Sequence, residues 1–343
     1  MVSRLILVLL GLVAGLSLAE LGVRVLHLAP VVDPIVIDKP WATFVSSPNP
    51  ILKYVPKPGA GDINAYGIRD YDYEIAREEG TYRIVVIGDS VGFGYCKPKE
   101  VLPIEVTFPK LLEKQLSASP PPGYSKLEVI NLSVSGYNTV QEVEFFREKG
   151  IALQPDLVLV GYCLNDSYDD SRELRTLEAH DQWDAYREWT GMVQGEAIMR
   201  SHLVRLVWHR FPLLQKTEPK DQAGNERKKK INHSEVGFRS LGALSAELGF
   251  KTLVVIFPYF ESFENYPKHA EARHQQVRKF SSDNGFEVLD LLPAFEQASD
   301  GDSVALRGRC WSVHPDEKGH AVAAKEIADY LSRSFSAAAV TDS

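Results

Sequence analysis

Four short blocks hold the side chains of this chain that could do covalent chemistry. They are Gly88-Asp89-Ser90-Val91-Gly92-Phe93-Gly94, Asn131-Leu132-Ser133-Val134-Ser135-Gly136-Tyr137-Asn138, Gly161-Tyr162-Cys163-Leu164-Asn165-Asp166 and Ser312-Val313-His314-Pro315-Asp316-Glu317-Lys318-Gly319-His320. Together they offer a hydroxyl, a glycine amide, a carboxamide and an imidazole. Acyl transfer needs this set, as nucleophile, oxyanion donors and general base. Each block has a plainer reading when taken alone. Ser90 after a strand suits a helix N-cap. Asp89 and Asp166 suit loops held by hydrogen bonds, and His320 suits a structural role. The glycines beyond Ser90 do not make a phosphate loop, because no Lys-Ser/Thr follows them.

The elements that must position these blocks are legible around them. Tyr82-Arg83-Ile84-Val85-Val86-Ile87 is a short β-branched run closed by Gly88, which predicts a buried strand. Comparable runs lie at Leu127–Asn131, Leu157–Val160, Thr252–Phe257 and Glu287–Leu291. Helical patterns separate them at Val106–Leu116, at Asn138–Lys149 with Gln141 as capping partner of Asn138, and at Pro267–Asn284. A last helix, Asp316–Ser334, sets Ala321, Ala324, Ile327, Ala328 and Leu331 at helical spacing. Strands alternating with helices predict an α/β fold: a three-layer α/β/α sandwich on a five-stranded parallel sheet with right-handed crossovers. Three of the blocks then follow strands at one rim, where open α/β sheets bind ligands.

With four blocks in this order, the chain resembles the SGNH hydrolases, the GDSL esterase/lipase superfamily, over roughly residues 80–336. The segment Asn64-Ala65-Tyr66-Gly67-Ile68-Arg69 is similar to the envelope-associated branch of that superfamily. The resemblance implies a flavodoxin-like sheet and an ester hydrolase without metal or cofactor. It implies Ser90 as nucleophile and His314 as base. The N–H groups of Ser90 and Gly136 and the amide of Asn165 would form the oxyanion hole. It also brings Cys96, Cys163 and Cys310 near one rim, and a Cys96–Cys310 disulfide would fix the His314 loop. Three independent buried thiols are the alternative.

One position departs from the family pattern. The acid usually found three residues before the histidine is replaced by Trp311. Three arrangements remain open: a Ser–His dyad with a backbone carbonyl on Nδ1, an acid from elsewhere such as Asp302 or one in the insertion reaching in, or a protein that is no longer a fast enzyme. Removing the acid from a working triad costs roughly 10⁴-fold in rate.

The rest of the chain bounds where such chemistry could occur. It has 343 residues and a net charge of −8, with 44% hydrophobic and 24% charged residues. That composition suits a folded soluble protein and excludes disordered, collagen-like and polytopic membrane classes. The acidic balance argues against a nucleic-acid partner; the one basic cluster, Arg227-Lys228-Lys229-Lys230, reads as a solvated loop. Residues 1–29 read as a secretory signal cut after Ala19 or as a retained membrane anchor. An anchor would have to accommodate Glu20 and Arg24. Either places the remainder outside the cytoplasm, periplasmic or secreted, where disulfides form. Residues 30–79 read as an extended arm, 80–336 as the hydrolase domain and 167–250 as a helical insertion over the strand ends, either lid or decoration. The expected function is hydrolysis of short-acyl esters, on a small molecule or an extracytoplasmic glycan. The alternatives are an O-acyltransferase of the same fold and a glycan-binding protein built on a decayed site.

Overall fold

The computed structural model describes residues 2–26, 28, 42–97, 100–164, 201–210, 232–260, 263, 266–310 and 314–341. The chain divides into two compact units, Met1–Pro34 with Leu174–Lys229, and Ile35–Glu173 with Lys230–Ser343.

In the first unit, helix α1 (Val2–Val25) contains a 20-residue apolar stretch, Ile6–Val25, long enough to cross a membrane by length and composition. Its two charged residues near the end are accommodated together. Glu20 Oε1 pairs with Arg24 Nε at 2.6 Å. The same carboxylate accepts the N–H groups of His202 (2.9 Å) and Leu203 (2.8 Å) and the Ser201 hydroxyl (2.7 Å). Glu20 thus caps the His202–Arg210 helix, satisfying amide groups that a helix start otherwise leaves open.

The second unit carries the sheet. Its arm contributes strands β1 (Phe44–Ser46) and β2 (Tyr54–Pro56), which pair antiparallel. β3 (Thr81–Gly88) leads into the one-turn helix α2 (Ser90–Phe93), then a hairpin of β4 (Tyr95–Lys97) and β5 (Glu100–Val101). α3 (Phe108–Leu116), β6 (Lys126–Asn131), α4 (Thr139–Phe145) and β7 (Leu157–Cys163) follow. After residues 165–231 come α5 (His233–Leu248), β8 (Lys251–Phe257), α6 (Lys268–Asp283), β9 (Glu287–Asp290), α7 (Leu292–Ser299), α8 (Val304–Arg307) and α9 (Glu317–Thr341). The main sheet has five strands in the order β6-β3-β7-β8-β9, every pairing parallel. Packing of α9 against α3, and of α4 against α5, puts helices on both faces.

Local chemistry explains these elements. Ile84 to Ile87 and Leu157 to Val160 are all buried, as strands covered on both faces require. α4 starts in the expected capping box, with Asn138 Oδ1 accepting from Gln141 N–H and the Gln141 side chain returning to Asn138 N–H. The helix then runs on as a π-helical turn, Phe146–Gly150. The five strands lie where the sequence places them. The expected insertion falls mostly on residues outside the described ones, but its last part, 233–248, forms α5, the crossover helix between β7 and β8.

Strand order reverses at β3, whose neighbours β6 and β7 lie on opposite sides of it. This is the switch point at which such sheets open a crevice, and Ser90 is two residues beyond the end of β3.

Candidate active site

Ser90 begins α2 and is 2% exposed; His314 precedes α9 and is 3% exposed. Separated by 224 residues in sequence, they meet with Nε2 of His314 2.9 Å from Oγ of Ser90. That is within reach for direct proton transfer. The Tyr95 ring lies edge-on to the imidazole, with centroids 5.1 Å apart.

Asp89 holds the turn that carries Ser90. Its Oδ1 accepts the Val91 N–H at 3.0 Å, and its Oδ2 accepts the Ser90 hydroxyl at 3.0 Å. The loop-holding role expected for Asp89 is therefore present, and it extends to Ser90 itself.

The loop after β6 runs directly beside this turn. Val134 N–H donates to Gly88 O at 3.0 Å. Asn131 Nδ2 donates to Gly92 O at 2.9 Å, while its Oδ1 accepts Ser133 N–H at 3.1 Å, so one amide ties α2 to the loop. The approach is close enough that a Cβ on Gly92 would stand 2.0 Å from Ser133 Oγ. Gly136 has φ +83°, a left-handed conformation that a side chain disfavours, which gives a conformational reason for glycine besides close approach to an ester. β7 pairs Gly161 with Gly88 and so delivers the third block to the same rim. Asn165 and Asp166 lie outside the described residues. Leu164, just before them, is buried and its carbonyl accepts Arg273 Nη1 at 2.8 Å.

Cys96 and Cys310 form a disulfide with Cα atoms 4.5 Å apart. They pack with Leu102 in a small core that joins the strand after α2 to the segment before His314. Cys163 lies instead in the main core. Trp311 is outside the described residues. Asp302 is exposed and accepts Val304 N–H at 2.9 Å, at the start of α8. His320 is structural: buried, its Nδ1 accepts Phe108 N–H at 3.0 Å, and burial lowers its pKa to about 3, leaving it neutral.

Several supports of the site had no motif to mark them. Arg69, 3% exposed, donates Nη1 to Phe93 O at 2.5 Å and Nη2 to Leu102 O at 2.6 Å, bracing the end of α2 from the arm. Tyr54 donates its hydroxyl to Ser135 O at 2.8 Å, and Tyr137 returns a hydrogen bond to Tyr54 O. Asp70 accepts Asn131 N–H at 2.7 Å and pairs with the buried Lys110 at 2.9 Å. Burial outweighs that ammonium and raises the Asp70 pKa to about 6. The signal for Arg69 was its place in the Asn64–Arg69 motif; Tyr54 had none. Glu142 of α4 was also passed over. It is 2% exposed, and burial, then the Asp89 carboxylate, push its pKa well above the usual range. Among the described residues, no cluster of His, Cys, Asp or Glu could hold a metal ion.

The chain is similar to several solved structures at low identity. One is an alpha/beta hydrolase enzyme from the metagenome of Lake Arreo (18% identity, covering 71% of this chain and 91% of that one, TM-score 0.44). Another is an acetylxylan esterase from Geobacillus stearothermophilus (18% identity, 71% and 91% covered, TM-score 0.42). A third is a lipase/acylhydrolase from Enterococcus faecalis (17% identity, 73% and 96% covered, TM-score 0.42). No curated protein matches the sequence. A family model does match it, from the middle of β3 into α9, residues 86–322. Most of the chain lies within that match, all four blocks included, and the chain belongs to the GDSL-like lipase/acylhydrolase family, whose members hydrolyse ester bonds.

Proposed function

We propose that the chain is a serine esterase that removes short acyl groups through a covalent acyl-enzyme, with Ser90 as nucleophile and His314 as general base. The observation that carries this reading is the 2.9 Å contact between Ser90 Oγ and His314 Nε2, both buried at the switch point of the sheet. As Oγ bonds to the ester carbonyl carbon, its proton passes to Nε2. The oxyanion is held by the N–H groups of Ser90 and Gly136 and by the Asn165 amide. Collapse expels the alkoxide, which takes the proton from Nε2. Water then gives a proton to Nε2, its oxygen attacks the acyl carbon, and Ser90 leaves reprotonated.

The substrate class follows from compartment. The apolar Ile6–Val25 stretch and the Cys96–Cys310 disulfide both suit an extracytoplasmic enzyme, where acylated glycans are accessible esters. We read the segment as a retained anchor; Glu20, which caps the His202–Arg210 helix, would stay on the chain in either case and becomes its first residue if the leader is cut after Ala19.

Hydrolysis of p-nitrophenyl acetate and labelling by a fluorophosphonate should both vanish in Ser90→Ala with little change in melting temperature. Labelling that survives would refute the assignment. Membrane fractionation with N-terminal sequencing should find Met1 intact in the membrane; a soluble product starting at Glu20 would refute the anchor.

A further inference from the structure

The carbonyl that precedes Asn165 is held from another element. Leu164 follows β7 directly, is buried, and accepts Nη1 of Arg273 on its carbonyl at 2.8 Å. Arg273 stands in α6, 109 residues further along the chain. The same nitrogen donates to the Tyr259 hydroxyl at 2.7 Å. Nη1 of an arginine carries two hydrogens, so both are placed. Tyr259 lies two residues past the end of β8, whose Phe257 pairs with Cys163 of β7. Arg273 thus bridges the rim ends of two neighbouring strands.

A line of hydrogen bonds fixes the far side of the Tyr259 segment. Tyr259 N–H donates to the Tyr266 hydroxyl at 3.0 Å, and that hydroxyl meets Nε2 of His274 at 3.0 Å. His274 is 3% exposed and follows Arg273 in α6. Its Nδ1 is 2.7 Å from Oδ2 of Asp290, the last residue of β9. That oxygen also accepts Arg278 Nη2 at 2.9 Å, and the other accepts Leu292 N–H at 3.0 Å. With the ring neutral, its hydrogen faces the carboxylate and Nε2 takes the Tyr266 proton. The line runs from the end of β9 to Tyr259, and Arg273 carries it on to the end of β7. Acyl transfer uses none of these groups directly.

Peptide planarity turns this support into alignment. The Leu164 carbonyl and the Asn165 N–H belong to one rigid unit. Fixing the direction of that carbonyl fixes the plane from which Asn165 departs. A displacement of about 1 Å can cost a catalytic group roughly 10²-fold in rate.

We propose that Arg273 is a positioning residue for the oxyanion hole: by holding the Leu164 carbonyl it aims the Asn165 amide at the oxyanion. The Asp290–His274–Tyr266–Tyr259 line holds Arg273 in turn. This rests on the serine-esterase reading, in which Asn165 is an oxyanion donor. Arg273 moves no proton; it acts on the transition state through Asn165.

A double-mutant cycle with Asn165 tests it. Arg273→Ala should lower kcat roughly 10- to 100-fold with KM nearly unchanged. Arg273→Lys, whose ammonium can still donate to both oxygens, should recover most of that loss. Tyr259→Phe keeps the ring, removes one acceptor and should lower kcat several-fold. In an Asn165→Ala background, Arg273→Ala and Tyr259→Phe should each change kcat by less than about threefold, because the donor they align is gone. A residue that only holds the fold together would slow both backgrounds by the same factor. Tyr259→Phe completes the cycle if Arg273→Ala does not fold. Parent-like kcat in Arg273→Ala, a loss confined to KM, or equal losses with and without Asn165 would overturn the proposal. Ser90→Ala is the control for the reading beneath it. If that variant is inert while the cycle shows equal losses, the esterase reading stands and the proposal falls. A fully active Ser90→Ala overturns both.

Discussion

Cys96, six residues past Ser90, is bonded to Cys310, four residues before His314. One covalent link thus joins the segments that present Ser90 and His314. It closes a loop across 214 residues, so most of the sheet lies between its ends. Replacing both cysteines by alanine should cost roughly 2–5 kcal/mol of stability, measured by denaturant unfolding. At temperatures where the variant is still folded, kcat should fall as well, because the His314 segment loses its tether. Unchanged kcat in the folded variant would mean that packing around Leu102 alone holds that segment.

The arm makes a second prediction. Tyr54 reaches Ser135 O, the carbonyl that precedes the Gly136 amide. Tyr54→Phe keeps the ring and loses about 1 kcal/mol of stability with the hydrogen bond. If that bond aims the Gly136 peptide, kcat should fall several-fold with KM steady. Arg69→Ala should be harsher, roughly 2–4 kcal/mol, because the carbonyls of Phe93 and Leu102 both lose a charged donor. Thermal melts and steady-state kinetics on the two variants would separate stability from alignment.

Asn165 follows a strand whose register beside β3 is fixed by the Gly88–Gly161 pairing. Asn165→Ala should lower kcat roughly 10²- to 10³-fold, the worth of one oxyanion donor. An effect on KM alone would assign Asn165 to ground-state binding.

What the sequence made legible was what repeats locally. Short apolar runs revealed all five strands, three of them closed by glycine or asparagine, and in four of the strands burial on both faces leaves little polar alternation to blur the pattern. The order of the four blocks brought Ser90 and His314 together across the chain. Helix α5 was missed because Gly237 and Gly242 interrupt its pattern, and the long polar stretch before it absorbed it into the insertion. Tyr54 and Arg69 act on carbonyls dozens of residues away, and such bonds leave no periodicity. Glu142 was invisible for the opposite reason. An acid in the first turn of a helix is an ordinary solvated residue by sequence, and only the packing around α4 shows that it is buried.

That burial gives the last prediction, in stability against pH. Glu142 has a folded-state pKa raised above its unfolded value, by burial first and the Asp89 charge second. Between those two values the folded chain keeps a proton that the unfolded chain has released. Stability must then decline as pH rises, by ~1.4 kcal/mol per pH unit for one proton. The contribution is fully present below the unfolded pKa, near the ordinary glutamate value of about 4.3, and is lost as pH rises through the folded one. Glu142→Gln has no proton to lose and resembles the neutral acid in shape and donor capacity. The two proteins should therefore have similar stability near pH 4, with the glutamine variant gaining on the parent as pH rises toward 7. Urea unfolding of both proteins across that range measures the difference. A parent that gained stability relative to Glu142→Gln with rising pH would mean that Glu142 is ionised in the folded chain, with a donor supplied to it.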